Sequence, residues 1–135
     1  MRTQDILNVD YRTSDGKRIL QKALFKIPAI KKNCFEEAEV DLEVIEKVIG
    51  IMCRKYAITI QYISPNYIEG QSNLYCISVK STDDHRWLGN VYGCCIYEAM
   101  AKCAIKMFAE IKASNVGLQA WDKVRQSVRG MNNED

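Results

Sequence analysis

The sequence predicts an α+β fold, a three-stranded antiparallel sheet packed against helices in the order α-α-β-β-β-α-α. Three observations carry this. From Ile96 the apolar residues Ile96, Ala99, Met100, Cys103, Ala104, Met107, Phe108 and Ile111 keep the i, i+3, i+4, i+7 spacing of one helical stripe. Residues 57–63 (AITIQYI), 74–80 (LYCISVK) and 86–92 (RWLGNVY) are rich in β-branched and aromatic types, as strands require. Between them stand Ser64-Pro65-Asn66, Gly70 and the cluster Ser81-Thr82-Asp83-Asp84, all turn chemistry. The last cluster is short enough for a hairpin, so the strands read as a meander.

Taken in order, residues 1–13 show no period and read as an extended arm. Ser14 is an N-cap candidate. Ile19, Leu20, Ala23, Leu24 and Ile27 form a helical stripe, and Pro28 stops it because the residue before proline avoids the helical region. Residues 31–40 read as a charged linker. Asp41 is placed to cap a second helix, 42–55, with the stripe Val44, Ile45, Val48 and Met52. Glu43 and Glu46 near its start and Arg54 and Lys55 near its end complement the helix dipole. Ile58, Ile60 and Tyr62 alternate with Thr59, Gln61 and Ile63, and Tyr75, Ile77 and Val79 with Cys76, Ser78 and Lys80. Each strand thus offers one apolar and one mixed face, the pattern of a half-covered sheet. Gly89 and Gly93 mark a bulge, a bend or a close approach.

On the outer face of the long helix, Glu98, Lys102, Lys106 and Glu110 recur four apart and read as a solvated surface. Asn115, Val116 and Gly117 read as its end. Leu118, Trp121, Val124 and Val128 then suggest a separate short helix, 118–129, before a fraying tail.

The chain is 135 residues long, 47% hydrophobic and 27% charged. That suits one soluble domain, divided as a basic arm and helix (1–40), an αβββα core (41–113) and a C-terminal helix and tail (114–135). No apolar run approaches the roughly 18 residues of a membrane span. The N-terminus lacks the apolar middle of a signal peptide, so a cytoplasmic location is expected. The six cysteines, Cys34, Cys53, Cys76, Cys94, Cys95 and Cys103, are then expected as reduced thiols acting as small hydrophobes. No CxxC pair exists and His85 is the only histidine. No metal site, cofactor or small-molecule substrate is expected.

The net charge of +2 hides an asymmetry. Arg2, Arg12, Lys17, Arg18, Lys22, Lys26, Lys31 and Lys32 face only Asp5, Asp10 and Asp15 in the first 32 residues. Glu36, Glu37, Glu39, Asp41, Glu43 and Glu46 then dominate the next stretch. Either the two segments neutralise each other, or the arm binds a polyanion.

Trp87, the short junction after the third strand and the Ala/Cys-rich run YEAMAKCAIKMF (residues 97–108) resemble the small phage-encoded α-β-α sandwich domains. The likeness covers 41–113. It implies an accessory protein of a phage or prophage, in the host cytoplasm, and implies no chemistry. The same segment is similar in topology to a double-stranded RNA-binding domain. It departs from that family because its last helix opens with Cys95, Ile96, Tyr97 and Glu98 where the family has lysines.

No catalytic residue is assigned. Asp83, Asp84 and His85 are the nearest approach to an acid-base cluster, but neighbours in a turn point apart. Cys94 or Cys95 at a helix N-terminus would have a lowered thiol pKa, yet no base lies near in sequence. The expected function is therefore non-enzymatic binding of a protein partner or of a second copy, through Trp87, Tyr92 and Trp121. The alternative is nucleic-acid binding by Lys17, Arg18, Lys22, Lys26, Lys31 and Lys32, with Tyr11 available for stacking.

Overall fold

A computed structural model describes residues 2–34, 39–63 and 75–132, with residue 63 and residues 115–132 described by their backbone alone. The helices are α1 (Thr3–Leu7), α2 (Ser14–Phe25), α3 (Pro28–Lys31), α4 (Leu42–Tyr56) and α5 (Ile96–Asn132). The strands β1 (Ile58–Ile63), β2 (Tyr75–Ser81) and β3 (Trp87–Gly93) lie between α4 and α5. They form one antiparallel sheet in the order β1-β2-β3. The α+β class, the meander and the position of each strand to within one residue agree with the sequence reading.

Four local readings are corrected. The arm is not extended throughout: α1 forms and buries Ile6 against the core. Pro28 stops α2 and also opens α3, because its fixed φ and missing N–H suit the first position of a helix. The separate terminal helix is absent: α5 runs unbroken through Asn115, Val116 and Gly117. Extending an existing helix needs no new nucleus, and this outweighs the roughly 1 kcal/mol that an interior glycine costs.

The fourth correction concerns the face of α5 read as solvated. Residues 98–105 are buried on every side except at the half-buried Met100. α5 touches α1 and α2 on one side and α4, β2 and β3 on the other. Leu20, Ala23 and Leu24 of α2 and Ile45, Val48, Ile49 and Met52 of α4 belong to the same core cluster. The arm that covers α5 is short, and its covering role has no periodic signature.

Lys102 and Glu98 are therefore inside. Their side chains are 5% and 6% exposed and meet at 2.7 Å. Lys102 Nζ also donates to the Val9 carbonyl at 2.9 Å, and the Cys94 N–H donates to Glu98 Oε1 at 2.6 Å. A buried ion pair survives desolvation only when its remaining polar atoms find partners, and these two bonds supply them.

The sheet's inner face meets α4 and α5. Cross-strand neighbours share a face, so the register places Ile60, Val79 and Gly89 together, and Tyr62, Ile77 and Val91 together. Ile77, Val79 and Val91 are buried there. Gly93 is needed for close approach, since a Cβ would stand 2.5 Å from the Ala99 nitrogen.

Candidate interaction surfaces

Strict alternation along β3 would put Trp87 with Gly89, Val91 and Gly93 on the inner face, away from Tyr92. The structure places it otherwise. Val79 pairs with Gly89 but the next residue, Lys80, pairs with Trp87, so Leu88 is the extra residue of a β-bulge. Gly89 holds the bulge at φ 138°, a conformation that L side chains rarely adopt. Trp87 is thereby turned to the outer face, where Asn90 and Tyr92 already point.

That outer face is a connected layer. Trp87 Nε1 donates to Asn90 Oδ1 at 3.0 Å, and Asn90 Nδ2 donates to the Tyr92 hydroxyl at 3.4 Å. Lys80 Nζ donates to Gln61 Oε1 at 3.3 Å across β1 and β2. The short side chains of Cys76 and Ser78 lie buried in the middle strand between these rows. Trp87 is 60% exposed and Tyr92 43%. The sequence reading singled out both aromatics but missed Asn90, which fixes their orientation. Gly89 was the available sign that the face assignment would shift. Trp121 lies within α5, and its side chain falls outside the described residues.

The expected basic site divides. Arg18, Lys22, Lys26 and Lys31 line one groove of about 1080 Å³ between α2 and α3, with Gln21, Phe25, Pro28 and Cys34. Arg18, Lys22 and Lys26 are spaced four apart, so they stand in one row along α2. Lys17 instead lies 5.4 Å from the centre of the Tyr11 ring, and Lys32, beyond the end of α3, is exposed outside the groove. Tyr11 is not presented for stacking. It packs against the core, its hydroxyl donates to Glu39 Oε1 at 3.4 Å, and burial pushes its pKa up to about 12.

Gln21, on the groove's lining, belongs to a closed ring of hydrogen bonds. Gln21 Nε2 donates to the Tyr97 hydroxyl at 2.8 Å, which donates to the Val40 carbonyl at 2.6 Å. The Val40 N–H returns to Gln21 Oε1 at 3.0 Å. This ring ties α2, α5 and the approach to α4 together.

The chemical clusters read from the sequence lie at the β2–β3 turn and at the start of α5. Asp84 accepts the Arg86 N–H at 3.1 Å, which holds its carboxyl below the usual range. His85 takes a left-handed turn conformation at φ 55°, and Asp83, Asp84 and His85 are all exposed. Burial and then the neighbouring Glu98 carboxylate push the Cys94 thiol up to about 11, the opposite of nucleophile activation. Burial pushes Cys103 up to about 12. Among the described residues, no group of three or more His, Cys, Asp or Glu side chains is placed to hold a metal ion. No helix among them is long and apolar enough to cross a membrane.

Comparisons with protein-family models, with curated proteins and with solved structures found no match to this chain.

Proposed function

We propose that this chain works by binding rather than catalysis, docking a second copy of itself through β3 and the outer face of the sheet. The observation that carries the reading is the Trp87–Asn90–Tyr92 row on an open edge. Among the described residues no strand pairs with the far side of β3. Edge strands are commonly guarded by charge, yet β3 (WLGNVYG) carries none. β1, the other edge, is uncharged too, but Thr59 and Gln61, the outer-face residues whose side chains are described, are polar.

The bulge makes the β3 edge self-complementary. In a two-fold antiparallel pairing centred on Asn90, Asn90 faces its own copy, Gly89 faces Val91 and, with Leu88 bulged, Trp87 falls opposite Tyr92 of the second copy. Opposite residues must share a face, and Trp87 and Tyr92 do so only because Leu88 is bulged. Rigid aromatics of this kind are the usual anchors of protein interfaces. The likeness of Trp87 and residues 97–108 to phage-encoded α-β-α sandwich domains supports an accessory role in a phage or prophage.

Sedimentation velocity from low to high micromolar concentration tests this. The expected result is a dimer that Asn90→Lys and Trp87→Ala convert to monomer, while Thr59→Lys on β1 leaves it intact. A wild-type chain that stays monomeric at the highest concentration, or a dimer indifferent to all three changes, removes the proposal.

A further inference from the structure

We infer that the groove between α2 and α3 is a second, separate site that takes single-stranded nucleic acid. It is remote from the sheet's outer face and uses none of its residues. The cations stand on two walls, Arg18 and Lys22 on α2 with Lys26 at its C-cap, and Lys31 on α3, and the lining includes Phe25. The α2 cations succeed one another at about 6 Å along the helix axis, so they can follow a chain of phosphates. A positively charged groove with an aromatic side chain in it is the arrangement by which single strands are held without sequence preference.

Asp15 is paired with Arg18. No carboxylate of the described residues pairs with Lys22, Lys26 or Lys31. Glu36 and Glu37 follow Cys34 in sequence and lie outside the described residues, so the competition between them and a phosphate chain is decided by experiment. Gln21, one of the lining residues, is pinned to Tyr97 and Val40 before a ligand arrives. A rigid site loses less entropy on binding. Duplex RNA is disfavoured, since an A-form helix is read across a wide minor groove and not within a narrow groove between two helices.

The test is fluorescence anisotropy on the full chain with labelled single-stranded DNA, single-stranded RNA and duplex of equal length. Single strands are expected to bind, with log K falling against log salt at a slope of about −2 to −3 for three or four neutralised phosphates. Lys22→Ala with Lys26→Ala and Lys31→Ala is expected to weaken binding at least tenfold and to bring the slope near −1. Lys47→Ala with Lys55→Ala, on α4, is expected to change nothing. Circular dichroism confirms that each variant is folded. Failure to bind at low salt, equal loss from the α4 variant, or binding displaced equally well by polyglutamate would overturn the inference. Preference for duplex would overturn the choice of ligand. Because the readout is ligand binding and the dimer test reads mass, the two sites stand or fall separately.

Discussion

Helix α5 carries two ion pairs four residues apart in each case, and they live in different solvents. Glu98 and Lys102 are 6% and 5% exposed, meet at 2.7 Å and are completed by the Val9 carbonyl and the Cys94 N–H. Lys106 and Glu110 are 19% and 30% exposed and meet at 2.9 Å, with no such completion among the described residues. The chemistry and the spacing match; the cover differs. The N-terminal segment lies over the first pair and not the second. A helical ion pair is thus a few tenths of a kcal/mol of surface decoration in one place and a structural commitment in the other.

The largest expected effect comes from breaking the buried pair. Lys102→Ala leaves a carboxylate uncompensated inside the protein and removes the tie to Val9, at a cost of about 3–5 kcal/mol in urea unfolding. Replacing both partners by apolar residues of similar size, Glu98→Leu with Lys102→Met, removes the charge problem but orphans the Val9 carbonyl and the Cys94 N–H. It is expected to retain a deficit of about 1–3 kcal/mol, smaller than the single change. If Lys102→Ala costs no more than a surface substitution, the N-terminal segment does not cover α5 as described.

Acid sharpens the same contrast. Burial alone would raise the Glu98 pKa, but the hydrogen bonds from Lys102 and Cys94 outweigh it and hold it below the ordinary 4.5. A carboxyl whose folded pKa is lowered stabilises the fold fully above its unfolded value and loses that contribution as pH falls through its folded value. The stability gap between wild type and Glu98→Gln is therefore expected to be constant near neutrality and to close below about pH 4.5. A gap that persists unchanged at pH 3 would mean that folding does not lower the Glu98 pKa.

The fold class and the strands were legible because periodicity records which face is apolar, and local turn chemistry records where chains reverse. Burial of Lys102 was illegible because it depends on Val9, distant in sequence, and on an arm without a pattern. The face of Trp87 was illegible for a related reason. Counting by twos fails at a bulge, and only the paired strand shows that Leu88 is supernumerary. The basic groove was half legible: four-residue spacing aligned Arg18, Lys22 and Lys26, but Lys31 joins them only through the turn that Pro28 begins. Lys17 and Lys32, equally basic in sequence, face elsewhere.

The smallest expected effect tests whether the second pair matters as a charge pair at all. Gly89 lies beside Lys106, whose Cε would stand 3.1 Å from an added Cβ. The methylene stem of Lys106 therefore covers the bulge while its ammonium reaches Glu110 and water. Charge and packing are separable here. Glu110→Ala and Lys106→Met, which each remove the pairing and keep the stem, are expected to change stability by less than about 0.5 kcal/mol. Lys106→Ala also removes the stem, so it is expected to cost up to about 1 kcal/mol and to quench or shift Trp87 fluorescence as the bulge loosens. Equal effects from Met and Ala at this position would assign the role to the charge instead. A loss of stability from Glu110→Ala as large as that from Lys102→Ala would erase the distinction between the two pairs.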